Sequence, residues 1–243
     1  MTKHEPTKPP ATREPQYQRC LDVRDRCGIA SFGLMSNQTW HDDPRRLTFV
    51  LARYKFIARM FTGKSSVLEI GCADAFGTRL VQQAAGRVTA IDFDPLFIED
   101  VRSRMDPDWP LDCRAHDILD GPVTGEGSPF DAAYSLDVLE HIDAAKEERF
   151  LTNITASLTP HAAAIIGTPS IHSQTYASPA SLAGHVNCKD ETGLRDLMGR
   201  HFHQVFIFSM NDEVVHTGFT PMAHYLLALG CDPKHSAKPS AGP

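Results

Sequence analysis

Four carboxylates and a glycine turn follow successive short apolar runs of the chain. Glu69 lies just before Gly71, and Asp92, Asp117 and Asp137 follow the next three runs in order. In an open parallel sheet, the carboxyl ends of the strands meet at one edge, and ligands bind there. Acidic side chains at such an edge suit a ligand with hydroxyl groups and a positive charge. The pattern therefore predicts a binding site for a cationic, hydroxyl-rich ligand.

The spacing of these residues favours a ligand that contains adenosine. Asp92 follows Gly71 at about the distance, some 20 residues, at which a carboxylate accepts hydrogen bonds from ribose hydroxyls. Phe93 offers an aromatic face to an adenine ring, and Asp117 can accept a hydrogen bond from its exocyclic amine. Two alternatives stay open: Asp92 as a helix cap ahead of Pro95, and Phe93 as a core residue.

The first turn argues against two common nucleotide sites. The dinucleotide fingerprint G-x-G-x-x-G requires glycine where this chain has Ala73 and Phe76. A phosphate-binding loop of the form G-x-x-x-x-G-K-[ST] is absent from the sequence. Glu69 beside the turn would repel a phosphate, so an ammonium or sulfonium group fits better.

The elements that position these residues alternate along the chain. Short apolar runs predict strands, and periodic segments between them predict helices. The predicted strands are 67–70, 88–91, 111–115, 130–136, 162–167, 203–209 and 223–229, and the predicted helices are 44–61, 78–85, 95–105, 144–158 and 191–200. The polar loop between the last two strands is too short for a crossover helix, so these strands should pair antiparallel. We expect an α/β fold of the Rossmann-like type: a doubly wound, mostly parallel seven-stranded sheet with one antiparallel strand and helices on both faces.

The composition is that of one globular domain. The 243 residues are 42% hydrophobic and 22% charged, which is enough apolar material for a full core. We predict a disordered tail over 1–15, a single domain over 16–231 and a flexible tail over 232–243. Within the domain, 16–42 is either a lid over the site or a segment packed on the sheet.

Charge and hydropathy limit the partners. The net charge of −6 argues against nucleic acid as the main partner, because such binding depends on basic surfaces. The sequence has no apolar run long enough to span a membrane and no apolar signal core near its start. We therefore expect a cytoplasmic protein without a membrane partner; the sequence does not indicate its oligomeric state.

Four motifs, in this order, resemble those of the class I S-adenosylmethionine-dependent methyltransferases. They are V-L-E-I-G-C-A-D-A-F-G at 67–77, A-I-D-F-D-P at 90–95, the step Asp117-Ile118, and S-L-D-V-L-E-H-I at 135–142. The chain is most similar to the small-molecule O-methyltransferase-like group that includes the 3-demethylubiquinone O-methyltransferases. The resemblance implies S-adenosyl-L-methionine as cofactor and a small molecule as methyl acceptor.

The resemblance also implies roles for individual residues. Glu69, Gly71 and Asp74 would surround the methionine part of the cofactor, Asp92 the ribose, Asp117 and Ile118 the adenine, and Ser135 and Leu136 the floor near the sulfonium. One departure concerns the turn, where the family usually has glycine in place of Ala73 and Ala75. Alanine resists positive φ and its methyl group crowds a ligand, which predicts weaker cofactor binding.

His141 is the predicted general base, and Asp137 is placed with it in the catalytic set. His141 follows the fourth strand, where the acceptor should lie, and an ordinary histidine has a pKa near neutrality. Methyl transfer to a hydroxyl requires such a base as well as alignment of the reactants. The alternative is that His141 caps or packs on the next helix.

A divalent metal site is a further hypothesis. Asp137, Glu140 and His141 share one face of a helical turn, and His185 comes from a loop that should overhang the same pocket. The set is similar to the E-x-x-E-H…H metal site of the methyltransferases that modify the 3′-terminal ribose of small RNAs. There the metal would hold the acceptor hydroxyls and lower their pKa.

The sequence leads to one preferred function and two alternatives. We expect methyl transfer to an oxygen of a sugar or secondary metabolite. The alternatives are a metal-assisted RNA 2′-O-methyltransferase and a non-catalytic cofactor-binding module.

Overall fold

The computed structural model describes residues 11–234. Most of the predicted N-terminal tail and of the predicted C-terminal tail lies outside these residues. Within them, a short 3-10 helix already begins at Pro15, and the last strand continues through Pro233. The prediction that the flexible C-terminal tail begins at 232 is therefore wrong by two residues, because Asp232 and Pro233 still belong to the sheet.

Eight α-helices are present in the described part of the chain. They are α1 (Gln18–Cys27), α2 (Leu34–Asp42), α3 (Arg45–Met60), α4 (Thr78–Gln82), α5 (Pro95–Ser103), α6 (Glu147–Ala156), α7 (Pro179–Gly184) and α8 (Glu191–His201). Short 3-10 helices cover Leu139–His141, Ala144–Lys146, Ile171–Tyr176 and Thr220–Met222. The predicted helix over 144–158 is thus a 3-10 turn followed by α6, and the long connection after 169 contains a helix of its own.

The described residues form one mixed sheet. Its strands are β1 (Val67–Ile70), β2 (Val88–Asp92), β3 (Asp112–Ala115), β4 (Phe130–Leu136), β5 (Leu158–Pro169), β6 (Phe202–Asn211), β7 (Val214–His216) and β8 (Tyr225–Pro233). The order across the sheet is β3-β2-β1-β4-β5-β8-β6-β7. The first five strands are parallel, β8 runs antiparallel to β5 and β6, and β7 pairs antiparallel with β6.

The doubly wound α/β fold is confirmed, with one correction to the strand count. The sheet has eight strands rather than seven, because three residues of the polar loop after β6 turn back and pair with it. Two strands, β8 and the short β7, therefore run against the others, where one antiparallel strand was predicted. The predicted antiparallel pairing of β6 with β8 is confirmed.

Helices cover both faces of the sheet because the strands carry apolar side chains on both faces. On one face, α3 and α4 pack Tyr54, Ile57 and Val81 against alternate strand residues. On the other face, α6 and α8 contribute large apolar side chains such as Phe150 and Leu197. The helices leave the carboxyl ends of the parallel strands open to the connecting segments, and that edge positions the site.

Candidate functional site

The strand order reverses between β1 and β4, so the crevice in which open α/β sheets bind ligands is expected between the ends of these two strands. The next strand in the chain, β2, pairs with one side of β1, and β4 pairs with the other side. Open α/β sheets bind ligands at such a topological switch point. The two connections approach each other closely. A Cβ atom on Gly71 would lie 2.3 Å from Val138 Cγ2, so only glycine allows this contact.

The turn after β1 has the backbone of a glycine-rich turn, although two of its positions are alanine. Gly71, Ala73 and Ala75 all adopt positive φ, at 76°, 45° and 52°. The left-handed region costs an L-residue on the order of 1–2 kcal/mol, which the surrounding contacts must offset. The alanines therefore do not prevent the turn; Ala73 is half-buried, and Ala75 packs against the hydrophobic cluster around Cys72.

Glu69 lies beneath this turn and is 1% exposed. The hydroxyl groups of Tyr54 and Thr78 donate to its two carboxylate oxygens at 2.8 and 2.5 Å. Burial raises the pKa of Glu69 to about 7, although the hydroxyl donors favour the charged form. Glu69 thus joins β1 to α3 and α4 through its buried carboxylate.

Asp74 is engaged by the segment that precedes α3. Its carboxylate accepts hydrogen bonds from the backbone N–H of Ser36 at 2.6 Å and from the Ser36 hydroxyl at 3.2 Å. Gly33 makes this approach possible, because a Cβ atom there would lie 2.2 Å from Asp74 Cβ. Asp74 therefore holds the first turn of α2 against the turn after β1.

Asp92 and Phe93 occupy the end of β2. Asp92 accepts hydrogen bonds from the backbone N–H of Ala73 at 2.9 Å and of Asp94 at 3.0 Å, so it ties the two loops together. The helix cap ahead of Pro95 is Asp94, not Asp92. Phe93 is 72% exposed, which excludes the alternative that it is a core residue.

The remaining predicted cofactor residues differ in exposure. Asp117 is half-buried and accepts a hydrogen bond from the backbone N–H of Leu119 at 2.8 Å. Ile118, Ser135 and Leu136 are buried, and Ile118 and Leu136 belong to two separate hydrophobic core clusters. The Ser135 hydroxyl finds no hydrogen-bond partner among the described residues.

Asp137 forms an ion pair that the sequence did not indicate. Arg53 Nη1 donates to both carboxylate oxygens, at 2.8 and 2.6 Å, and the Arg53 side chain is 17% exposed. The guanidinium also lies 3.8 Å from the centre of the Tyr225 ring. Arg53 therefore holds both Asp137 carboxylate oxygens, and Asp137 is not among the three residues whose ligand atoms converge nearby.

Glu140, His141 and His185 come together after β4. Each offers a ligand atom, and the three atoms lie within 4.8 Å of one another. The two imidazole rings are 5.3 Å apart, at an interplanar angle of 69°. The backbone N–H groups of Val186 and Asn187 donate to the Glu140 carbonyl, which attaches the loop carrying His185 to this segment.

The environment of this cluster perturbs two of its groups. Glu140 is 1% exposed, and burial together with the neighbouring Asp137 charge raises its pKa above the usual carboxylate range. Burial and the proximity of His141 lower the pKa of His185. Perturbed groups that converge in a cleft are typical of functional sites.

Comparison with known proteins identifies the kind of domain that surrounds this crevice. Residues 67–161 match the protein family described as "Methyltransferase domain". This part of the chain, from β1 to the start of β5, is thus similar to a methyltransferase domain.

Individual relatives of the methyltransferase domain are distant. The mitochondrial ubiquinone biosynthesis O-methyltransferase of Schizosaccharomyces pombe is 28% identical over 128 residues, which are 52% of this chain and 45% of that protein. The chain thus spans less than half the length of this curated relative.

Two solved structures share the fold of the methyltransferase domain. The N-methyltransferase NodS of Bradyrhizobium japonicum, in complex with S-adenosyl-L-homocysteine, has a TM-score of 0.56 and 22% identity over 79% of this chain and 90% of that chain. The methyltransferase domain of a bacterial Hen1, CtHen1-C, has a TM-score of 0.61 and 13% identity over 75% of this chain and 98% of that chain.

The sequence pattern missed two features of the methyltransferase domain. The first is the ion pair between Arg53 and Asp137, which depends on the approach of α3 to the end of β4. The second is the place of α2: the sequence allowed either a lid or a packed segment over 16–42, and the structure holds α2 against the turn after β1.

No helix in the described part of the chain is long and apolar enough to cross a membrane.

Proposed function

We propose that this chain transfers the methyl group of S-adenosyl-L-methionine to a hydroxyl oxygen of a small molecule. The observation that carries the proposal is the crevice between the turn after β1 and the segment after β4. The turn keeps the backbone of a cofactor-binding glycine turn even where it is built from alanine. A histidine stands at the other side of the crevice, after β4.

The residues around the crevice fit the cofactor. Each oxygen of Asp92 accepts one hydrogen bond within the protein and keeps a lone pair for a ribose hydroxyl. The exposed ring of Phe93 offers a stacking surface for the adenine, and one oxygen of Asp117 stays available to its amine. Glu69 and Asp74 act indirectly, since they hold the turn and α2 in place.

His141 is the proposed general base. Its side chain is exposed, and its Nδ1 lies 2.9 Å from the carbonyl oxygen of Gly184. A carbonyl accepts but does not donate, so the hydrogen is on Nδ1 and the lone pair on Nε2. Bound S-adenosyl-L-methionine would supply an electrophilic methyl group on its sulfonium. His141 Nε2 would take the hydroxyl proton as the acceptor oxygen bonds to the methyl carbon and the carbon–sulfur bond breaks, which leaves S-adenosyl-L-homocysteine.

Calorimetry with S-adenosyl-L-homocysteine tests the cofactor part of this proposal. We expect saturable binding well below about 1 mM, the weak end of specific affinities. Absence of binding at that concentration contradicts both the enzyme and the non-catalytic binding module. Binding without methyl transfer to any acceptor supports the module instead.

The acceptor is tested with a panel of catechols, simple phenols and sugars, each assayed by mass spectrometry for the addition of one methyl group. The match to a ubiquinone biosynthesis O-methyltransferase favours oxygen as the acceptor atom, and the sequence alone pointed to a sugar or secondary metabolite. Methylation confined to amines in a matched amine panel would contradict oxygen as the acceptor.

A second function rests on the cluster of Glu140, His141 and His185. One carboxylate and two imidazoles fit a divalent cation such as Mn²⁺, Co²⁺ or Zn²⁺. A cation held there would lower the pKa of an acceptor hydroxyl, as in metal-assisted RNA 2′-O-methylation. Asp137 is not proposed as a ligand, because Arg53 already holds both of its oxygens.

Chelation and two substrates separate these functions. If the metal-assisted reaction is correct, exhaustive chelation abolishes methyl transfer, added Mn²⁺ restores it, and radiolabel from the cofactor enters RNA. If activity survives chelation and labels only small molecules, the first proposal stands alone. The net charge of −6 favours that second outcome, since RNA binding depends on basic surfaces.

A further inference from the structure

The two histidines of the cluster share a feature that the proposed function does not require. His141 Nδ1 lies 2.9 Å from the Gly184 carbonyl oxygen, and His185 Nδ1 lies 2.9 Å from the side-chain oxygen of Gln174. Both partners are carbonyl oxygens, which only accept hydrogen bonds. Each neutral ring therefore carries its hydrogen on Nδ1 and keeps a lone pair on Nε2.

Gln174 is held so that its oxygen, not its nitrogen, meets His185. Its amide nitrogen donates to the backbone carbonyl of Ser170 at 3.3 Å and to the Ser173 hydroxyl at 3.5 Å. Ser170 is fully buried and its N–H donates to the carbonyl of His224 in the loop before β8, so this anchor is fixed to the sheet. A flipped Gln174 amide would lose these contacts and bring its oxygen against the Ser170 carbonyl oxygen, which is also an acceptor.

We propose that Gln174 is a positioning residue that fixes His185 as its Nδ1–H tautomer and so presents Nε2 to the site. This proposal rests on the proposed function only for what the Nε2 lone pair would bind. The same lone pair serves as a ligand for a divalent cation or as an acceptor for a substrate hydroxyl. Outer partners of this kind orient ligand histidines and fix their tautomer in metal sites generally.

The two histidines are prepared for a ligand because both carry their hydrogen on Nδ1. With Nε2 free on both rings, His141 and His185 offer their lone pairs without rearrangement when a cation or hydroxyl arrives. Without Gln174, His185 loses that bias and can place its hydrogen on Nε2. Loss of an outer partner typically weakens metal binding 10- to 100-fold.

The tautomer is measured directly in the metal-free protein. Long-range ¹H–¹⁵N spectra at about pH 8, above the ordinary histidine pKa, distinguish a protonated from an unprotonated ring nitrogen. The His185 signals are assigned by their loss in His185→Gln. We expect Nδ1–H in the wild type and in Gln174→Glu, which keeps an acceptor, and a shift toward Nε2–H in Gln174→Met.

Gln82→Met is the matched control, because Gln82 also donates its amide to a backbone carbonyl, that of Pro110 at 3.1 Å, away from the site. It should leave the His185 tautomer unchanged. An Nε2–H tautomer of His185 in the wild type overturns the inference without any variant. An unchanged tautomer in Gln174→Met overturns it as well.

Calorimetry with Co²⁺ alone separates the inference from the metal-assisted function. We expect Gln174→Met to bind Co²⁺ 10- to 100-fold more weakly than the wild type, with Gln174→Glu and Gln82→Met unaffected. A wild type that binds no Co²⁺ removes the metal-assisted function. The tautomer result then decides the positioning role of Gln174 by itself.

Discussion

Two glutamates at the same edge of the sheet are equally buried but have different surroundings. Glu69, before the turn after β1, receives hydrogen bonds from two hydroxyl groups that belong to α3 and α4. Glu140, after β4, receives one side-chain hydrogen bond, from Thr168 at 3.2 Å, and lies beside a second carboxylate and two imidazoles. The first region is satisfied by its own contacts, whereas the second leaves groups for a ligand. Burial of a charge therefore does not by itself identify a functional residue; its partners do.

The sharpest difference between the two regions should appear in catalysis. We expect His141→Gln to reduce methyl transfer by about 10²- to 10⁴-fold, the usual contribution of a general base. The affinity for S-adenosyl-L-homocysteine and the free energy of unfolding should stay near the wild-type values. The measurement is a single-turnover rate with the acceptor found in the panel.

His161→Gln is the control for this experiment, since His161 is an exposed histidine near the opposite end of β5. It should retain the full rate. If His141→Gln loses stability rather than rate, the histidine packs or caps, and the region after β4 is structural like the region after β1.

The second largest expected difference is in the loss of stability when each glutamate is replaced by alanine. Glu69→Ala leaves the Tyr54 and Thr78 hydroxyls buried without their acceptor, at a cost of about 3 kcal/mol in the free energy of unfolding. Glu140→Ala removes one long hydrogen bond, with an expected cost below about 1 kcal/mol. Urea unfolding at about pH 6 measures both, and equal losses would contradict the comparison.

The pH dependence of stability sharpens the assignment of Glu69. Its pKa in the folded protein is about 7, above the ordinary carboxylate value, so the folded state holds a proton that the unfolded chain releases. The contribution to stability is complete below about pH 4.5 and is lost as the pH rises through 7. The stability of Glu69→Gln relative to the wild type should therefore increase over this range by on the order of 2–3 kcal/mol. Urea midpoints at several pH values test this, and parallel curves for the two proteins would refute it.

The smallest expected effect concerns the backbone of the cofactor turn. Ala73→Gly and Ala75→Gly relieve the strain of positive φ at these positions. Once the entropic cost of ordering a glycine is subtracted, each should stabilise the protein by about 1 kcal/mol. The affinity for S-adenosyl-L-homocysteine should stay equal or improve. Destabilisation by either glycine would show that the alanine methyl groups pack usefully and that the turn is not strained.

Alternation of apolar runs and helical periods was enough to predict the parallel sheet, because buried strands and amphipathic helices have different sequence periods. It missed β7, since three residues without a clear apolar pattern pair only because β6 is already in place beside them. For the site, the pattern located the carboxyl edge and placed Glu140, His141 and His185 in one cluster. It could not predict the ion pair between Arg53 and Asp137, because the two residues are 84 positions apart and their contact depends on how α3 packs.

The sequence by itself determined the order of strands and turns, and therefore which residues reach the crevice at all. It also predicts a cationic ligand rather than a phosphate, because acidic side chains lie beside the turn in the sequence. Only the tertiary structure decided what each of those residues does. Glu69 and Asp74 are satisfied by α3, α4 and α2, while Glu140, His141 and His185 remain directed toward a ligand. The physical reason is that a polar group's role depends on whether neighbouring elements already supply its hydrogen bonds, and those neighbours are distant in sequence.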